Sequence, residues 1–410
     1  MKTRKGQGIS TLVNHRGEHI SDLNAHVTPI YQTSTFSFDS VAQSADLFAD
    51  RASGFFYTRC SNPNQLQLAE KIAALEAYDF CQAEPDRPLE DFAAGLVFSS
   101  GMAAVLTTLL ASATAGQTIL AQESLYSATY GFMTEMARRY QIQTVLVPDI
   151  DPQAWEDAFA AHPDAVLAYA ETPANPTMQL SDLAAIAQIA HRAGAKLAVD
   201  NTFASPYCQR PLSLGADIVL HSTTKYLNGH GTTIGGAVVA RDAAWVRGGL
   251  LQMQEMLGGS ASPFDSWLTN LGLRTFELRM QRHCANAAQI AAFLENHPAV
   301  ARVNYPGLES FAQHELARRQ MLHYGGMLSF ELKGGLEAGA RMMDRMQVCT
   351  LAVSLGNVDT LIEHPASMTH NSVPAEARQK IGITDGLVRL SVGIENVEDL
   401  LVDLDQAMGG

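Results

Sequence analysis

The stretch His221-Ser-Thr-Thr-Lys225-Tyr-Leu-Asn-Gly-His-Gly231 follows directly on the apolar run Ile218-Val219-Leu220. A short apolar run cut off by small polar residues reads as a buried strand giving way to a loop at its carboxyl end. The same unit recurs upstream. Leu96-Val97-Phe98 precedes a helical stretch from Gly101 to Thr114, and Thr118 to Ala121 precedes Ser127 to Arg139. Ile142 to Val147 leads into Asp151–Ala160, Ala165 to Ala170 into Asp182–Arg192, and Lys196 to Val199 ends at Asp200. Gly236 to Ala240 closes the series. Strands of four to six apolar residues alternating with helices predict an α/β fold, a mostly parallel sheet covered on both faces. Ligands of such sheets sit beyond the carboxyl ends of the strands, so the polar residues there carry the functional reading.

Outside this block the pattern changes. After Ser262-Pro263 one long helix is expected from Phe264 to Asn296, then strands at Val300–Asn304, Met327–Leu332 and Leu387–Val392. Helices at Leu336–Met346 and Asn396–Met408 complete a smaller α+β C-terminal domain, residues 262–410, behind a large domain of residues 61–261. Residues 1–60 lack periodicity yet hold Ile30, Tyr31, Phe36, Phe38, Phe55, Phe56 and Tyr57, which favour burial. An arm packed on a neighbouring subunit is one way to bury them. Residues 80–95 read as an acidic surface insertion with Glu84, Asp86, Glu90 and Asp91.

The chain has 410 residues and a net charge of −14, which argues against general binding to nucleic acid or an anionic membrane. With 47% hydrophobic and 17% charged residues it is not a disordered chain. Cys60, Cys81, Cys208, Cys284 and Cys349 are irregularly spaced, with no Cys-x-x-Cys, and read as reduced thiols of a cytoplasmic protein. The basic start lacks an apolar segment behind it, so no signal peptide is expected. Phe92 to Gln122 is uncharged, but its Ser, Thr and Gly residues suit a buried strand, turn and helix better than a membrane span.

Lys225 stands out because a lysine drawn out of water is costly unless neutralised or paired. Ser222, Thr223 and Thr224 before it are short hydroxyl donors suited to a phosphate, and Asp200 ends another strand at the same edge. A strand-end lysine, a strand-end carboxylate and adjacent hydroxyls suit pyridoxal phosphate: Lys225 as Schiff-base amine, Asp200 on the pyridinium nitrogen, hydroxyls on the phosphate. Ser99-Ser100-Gly101-Met102, between a strand and a helix, offers free backbone N–H groups to the same phosphate, although Ser-Gly is also an ordinary cap. Gly229-His-Gly231-Thr-Thr-Ile-Gly235 is not a dinucleotide turn, because the strand-like Ala237-Val-Val-Ala240 follows it where a helix is required.

From about residue 25 onward the chain resembles the Cys/Met-metabolism (trans-sulfuration) family of pyridoxal-phosphate enzymes. The resemblance rests on Tyr57-Thr-Arg59-Cys-Ser-Asn-Pro63, Ser100-Gly-Met102, Leu125-Tyr126, Glu171-Thr-Pro-Ala-Asn175-Pro and Asp200-Asn-Thr. It continues through Ser222-Thr-Thr-Lys225, Val353-Ser354-Leu-Gly356, His364-Pro-Ala-Ser-Met-Thr-His370 and Val388-Arg389-Leu-Ser-Val-Gly393. It implies fold type I, the aspartate-aminotransferase-like architecture. It implies Lys225 and Tyr126 as catalytic residues, with Lys225 moving protons and Tyr126 stacking on the ring and protonating the leaving thiol. Asp200, Ser100, Gly101, Met102, Asn175, Ser222 and Thr224 would hold the cofactor. Tyr57 and Arg59 would reach the phosphate of a neighbouring subunit, so a homo-oligomer, a tetramer of site-sharing dimers, is implied. Arg389, with Ser354 and Asn175, would take the α-carboxylate of an amino-acid substrate.

The resemblance is strongest to members that eliminate the γ-substituent of methionine. Members that process cystathionine resemble one another in polar groups at three positions that are here Phe56, Gly131 and Val353. Losing those groups would leave the distal end of cystathionine unpaired, which favours an apolar leaving group such as methanethiol. Ala128 and Gln254-Glu255 depart from the methionine-cleaving pattern, and Gly229 to Gly236 resembles homoserine-ester sulfhydrylases. The expected reaction is γ-elimination of L-methionine to methanethiol, 2-oxobutanoate and ammonia. Sulfhydrylation of O-acetyl- or O-succinylhomoserine, then cystathionine chemistry, stand behind it.

Overall fold

The computed structural model describes residues 7–18, 23–49, 51–148, 150–369, 371, 375–380 and 382–409. The basic start at residues 1–6 and His370 of the His-Pro-Ala-Ser motif lie outside the described residues. Seven strands form the larger sheet: β1 (Ala94–Phe98), β2 (Thr118–Gln122), β3 (Gln143–Val147), β4 (Ala165–Glu171), β5 (Lys196–Asp200), β6 (Ile218–Ser222) and β7 (Gly236–Ala240). Their order is β1-β7-β6-β5-β4-β2-β3. All pairings are parallel except those of β7, which runs antiparallel to both β1 and β6.

The strands are apolar throughout because both faces are covered. Val97, Val219 and Val239 pack in one cluster, near the helix Pro63–Glu76. Their neighbours Phe98, Leu220 and Val238 pack in another with the helix Gly101–Ser112. This alternation is the period of two that a strand imposes on its side chains. It also sends the strand-end residues Glu171, Asp200 and Ser222 to one edge of the sheet, with Glu171 opposite Asp200 in register.

The second sheet has five strands: β8 (Val300–Asn304), β9 (Met327–Leu332), β10 (Thr350–Leu351), β11 (Leu361–Glu363) and β12 (Leu387–Ser391), in the order β10-β11-β12-β9-β8. Only β10 and β11 run parallel. Its core includes Leu328, Phe330, Val388 and Leu390 with Ile290 and Leu294 of the helix Phe276–Glu295. The uncharged segment Phe92 to Gln122 is strand, helix and strand, and no helix of the described residues is long and apolar enough to cross a membrane.

The structure adds to the sequence reading in four regions. The expected helix from Phe264 to Asn296 is two helices, Pro263–Leu273 and Phe276–Glu295. The break lies where Gly272 touches the chain after Lys225: a Cβ there would come within 2.2 Å of the Asn228 carbonyl oxygen. The side chains of Thr275 and the buried Arg279 donate to the Gly272 carbonyl at 3.3 and 3.0 Å, so the first helix is capped from outside its own ladder. The stretch Ser127 to Arg139 is a short α-helix to Gly131, a π-turn over Phe132–Met136 and a 3-10 turn over Ala137–Tyr140, an arrangement that buries Phe132, Met133 and Ala137 together. The acidic insertion is anchored: Phe80 and Phe92 stack at 6.1 Å, while Cys81 and Leu89 are buried. Near the start, the helix Ile9–His15 buries Ile9, Leu12 and Val13 in the core of its own chain.

Candidate active site

Lys225 lies three residues beyond the end of β6, in a turn closed by Lys225 N–H to the Ser222 carbonyl at 3.2 Å and Gly229 N–H to the Lys225 carbonyl at 2.8 Å. Its Nζ donates to Ser354 Oγ at 2.7 Å. Ser354 has φ of 93°, a left-handed conformation that L-residues rarely take. Two residues on, Gly356 also has positive φ, and a Cβ there would lie 2.7 Å from the Tyr226 backbone nitrogen. Backbone-to-backbone packing of this loop on Lys225-Tyr226 thus places the serine hydroxyl against the amine. Burial, then Arg389, push the Lys225 amine down from the ordinary value to about 8, with Glu363 opposing. The amine therefore sheds its proton far more readily than a surface lysine.

Asp200 ends β5 and accepts from Thr202 N–H at 3.0 Å. Burial raises its carboxyl, and that of Glu171 beside it is pushed up to about 8 by burial and by the Asp200 charge. Glu171 accepts from Tyr126 N–H at 2.9 Å and Asn175 N–H at 3.3 Å. One buried carboxyl thus positions the backbone of two predicted site residues. Tyr126 itself is 45% exposed.

Arg389, in the middle of β12, is 5% exposed, so it is not a surface charge. Its Nη1 donates to Asn175 Oδ1 at 3.1 Å and pairs with Glu363 Oε1 at 3.1 Å; Nη2 donates to the Ser354 carbonyl at 2.6 Å. Lys225, Ser354, Arg389 and Asn175 are therefore one connected group drawn from both sheets.

The helix Gly101–Ser112 begins beside β6. Ser100 caps it, accepting from Ala103 N–H at 3.0 Å, and a Cβ on Gly101 would come within 2.9 Å of Ser222 Cβ. Glycine is what lets this helix N-terminus, with its free N–H groups, sit against Ser222. Met102 is held at its sulfur by the Thr129 hydroxyl, 3.7 Å away. Ser222 N–H donates to Thr202 Oγ1 at 2.8 Å. The Thr224 hydroxyl is engaged with Gly235, accepting from its N–H at 3.0 Å and donating to its carbonyl at 3.3 Å.

Tyr57 and Arg59 are not brought to this group. Arg59 Nη1 donates to the Glu255 carbonyl at 2.6 Å, its guanidinium lies 5.4 Å from the Tyr57 ring centre, and both line an open groove with Gln32, Ser34 and Ser260.

Sequence reasoning did not single out two residues that the geometry brings into the site. Glu171 opens the Glu171-Thr-Pro-Ala-Asn175 motif and is the polar end of a buried strand. Glu363 ends the three-residue β11, and only the β11–β12 register shows that it faces Arg389.

The residues present fit pyridoxal phosphate. Asp200 and Glu171 are two raised carboxyls side by side, a pair that a pyridinium N–H would relieve. Lys225 is an amine held by a hydroxyl alone, and the Gly101 cradle is shaped by the absence of a Cβ. A strand-end lysine and aspartate beneath a helix N-terminus, on a mostly parallel sheet with a second smaller sheet, define a fold-type I pyridoxal-phosphate enzyme. The chain belongs to the Cys/Met metabolism PLP-dependent enzyme family, which matches residues 10–409. It is 44% identical over 402 residues to an L-methionine gamma-lyase of Porphyromonas gingivalis, covering 98% of this chain and 97% of the relative. It is 41% identical over 406 residues to a cystathionine beta-lyase of Coxiella burnetii, with 98% of each chain covered. The crystal structure of a cystathionine gamma synthase from Xanthomonas oryzae pv. oryzae, in complex with aminoacrylate and cysteine, matches with a TM-score of 0.89 at 39% identity, covering 98% of both chains. The protein is thus a pyridoxal-phosphate enzyme of carbon–sulfur lyase or γ-replacement type, acting on an amino acid.

Proposed function

We propose that the protein catalyses γ-elimination of L-methionine to methanethiol, 2-oxobutanoate and ammonia. The observation that carries this reading is the contrast between Arg389 and Val353. The site offers a buried guanidinium for an α-carboxylate, while Val353, next to the Lys225-bound Ser354, is apolar and 58% exposed. A Cβ on Gly131 would meet nothing within 4 Å, so a larger group has room there and none is supplied. A substrate with a charged distal end would find no partner at these two positions.

Pyridoxal phosphate, when bound, supplies an electron sink for negative charge at the substrate Cα. Asp200 would hold the proton on the pyridine nitrogen, and Ser100, Gly101, Met102, Ser222 and Thr224 would hold the phosphate. Tyr126 would cover the ring, and Asn175 would hold its phenolic oxygen. Arg389, steadied by Ser354 and Asn175, fixes the carboxylate and so orients the Cα–H bond toward Lys225. The Lys225 amine, lowered to about 8, removes protons at Cα and Cβ and returns them. The Tyr126 hydroxyl gives its proton to the departing thiolate.

Tyr57 and Arg59 serve the phosphate of a neighbouring copy, within a homotetramer of site-sharing dimers. Their separation from Lys225 within one chain supports this reading, as does the exposed aromatic group around Phe48, which is 66% exposed. Residues 1–60 are the arm, anchored on their own chain by the helix Ile9–His15, with residues 61–261 and 262–410 as the two domains. The five free thiols suit a reducing, cytoplasmic setting.

The test is an assay of the purified holoenzyme with methionine alone, then with O-acetylhomoserine plus sulfide. Methanethiol and 2-oxobutanoate from the first support the reading. Homocysteine from the second with nothing from the first replaces it with a sulfhydrylase.

A further inference from the structure

We propose that Glu363 is a positioning residue that aims the Arg389 guanidinium and also sets how weakly it holds the substrate carboxylate. The inference deepens the reading of Arg389 as the carboxylate site. Glu363 and Arg389 stand opposite each other in the antiparallel register of β11 and β12, so the fold itself makes them a cross-strand pair. Their side chains are 3% and 6% exposed, and Oε1 lies 3.1 Å from Nη1. Few geometries bring two opposite charges this far out of water without a reason in packing or function.

The hydrogen-bond inventory shows what the pair does. A guanidinium has five N–H groups. Nη1 donates to Asn175 Oδ1 and lies 3.1 Å from Glu363 Oε1 in an ion pair, and the Ser354 carbonyl accepts from Nη2. Nε is enclosed without a hydrogen-bond partner, as is Glu363 Oε2. The donor left without a partner is therefore Nε–H, which shares with Nη2 the edge of the planar group away from Nη1. That edge matches the fork that a carboxylate accepts in a bidentate pair. Glu363 takes the opposite end of the guanidinium and leaves this edge for the substrate.

Glu363 also neutralises the cation before the substrate arrives. An incoming carboxylate meets a guanidinium already paired with one anion and is repelled by that anion. The charged groups around the pair are Arg389 itself and Lys225, with the phenols of Tyr126 and Tyr226 facing Arg389. Removing the Glu363 charge while keeping its shape should thus strengthen carboxylate binding. It should also make a positive charge at the Lys225 nitrogen less favourable, because Arg389 would act there unopposed.

The experiment compares wild-type holoenzyme with Glu363→Gln, Glu363→Asp and Arg389→Ala. Acetate is the probe of the carboxylate site, since it lacks every other substrate group. The second readout is the pH midpoint of the bound cofactor's visible absorption, which reports the charge at the Lys225 nitrogen. Glu363→Gln is expected to bind acetate about tenfold more tightly and to shift the midpoint downward. Glu363→Asp, which keeps the charge, should return both toward wild type, and Arg389→Ala should abolish acetate binding. A purely structural pin would leave Glu363→Gln with equal or weaker acetate binding and an unmoved midpoint, and that result overturns the proposal. Acetate binding that is absent in wild type, or that survives Arg389→Ala, overturns it as well. Methionine turnover is not a readout here, so failure to cleave methionine counts against the proposed reaction alone.

Discussion

Among the described residues two lysines are drawn out of water, and they are treated in opposite ways. Lys71, on the helix Pro63–Glu76, has a fully enclosed side chain and lies 2.7 Å from Glu18, which Arg274 also approaches at 3.3 Å. Burial alone would raise the Glu18 carboxyl, but Lys71 and Arg274 outweigh it and hold the group below its ordinary value; burial lowers the Lys71 amine as well, with Glu18 opposing. Lys225 has no carboxylate within ion-pair distance among the described residues; it has the Ser354 hydroxyl, with Arg389 nearby pushing its pKa further down. The first arrangement is a staple between the N-terminal segment and the helices beneath it. The second keeps an amine ready to release its proton and react. The two lysines differ in partner, a carboxylate against a hydroxyl, and also in depth, since Lys71 is fully enclosed and Lys225 is half-buried.

The comparison breaks most visibly in activity. Lys225→Ala should lower turnover by about 10⁴ or more, since in the proposed reading it removes both the amine that carries the cofactor and the proton shuttle. Lys71→Met should leave turnover per folded molecule within about twofold, measured as initial rate normalised to bound cofactor. The stability cost should fall on the other lysine. Breaking a buried pair by removing one partner typically costs about 3–5 kcal/mol, and denaturant melts of Lys71→Met should show a loss of that order. Arg389→Lys should raise KM for the amino acid about a hundredfold, with a smaller change in kcat, because a point charge replaces a two-pronged donor.

The smallest effect has the most telling sign. A lysine whose folded pKa is lowered to about 8 from 10.5 opposes folding wherever both states are protonated, that is below about pH 8. The penalty is full below about pH 8, shrinks as pH rises from there toward 10.5, and is gone above the unfolded value. Apoprotein carrying Lys225→Met should therefore be more stable than wild-type apoprotein at pH 7, by about 2 kcal/mol. The difference should fade toward pH 10.5. Lys71→Met should be less stable than wild type at pH 7. Same-signed changes for the two variants would erase the contrast.

Much of this was legible in the sequence where the information is local. The strands ending at Asp200 and preceding Lys225 are short apolar runs bounded by polar residues, and the structure places them within two residues of expectation. The Ser100 cap and Gly101 were readable for the same reason. What was not legible depends on distant chain. The break before Phe276 is set by the approach of Asn228 to Gly272, which no helical periodicity within residues 264–296 reveals. Ser354 meets Lys225 across 129 positions and became a candidate only through family resemblance. Glu363 escaped because β11 is too short to show a pattern, and its partner is fixed by register. Tyr57 and Arg59 were readable as a motif, yet one chain does not carry them to Lys225.

The most direct test of the contrast is reductive trapping. Holoenzyme treated with borohydride should retain pyridoxal phosphate covalently on one lysine, and peptide mass spectrometry should find it on Lys225. Trapped cofactor on Lys71 or another lysine, or none at all after saturation with pyridoxal phosphate, would contradict the account.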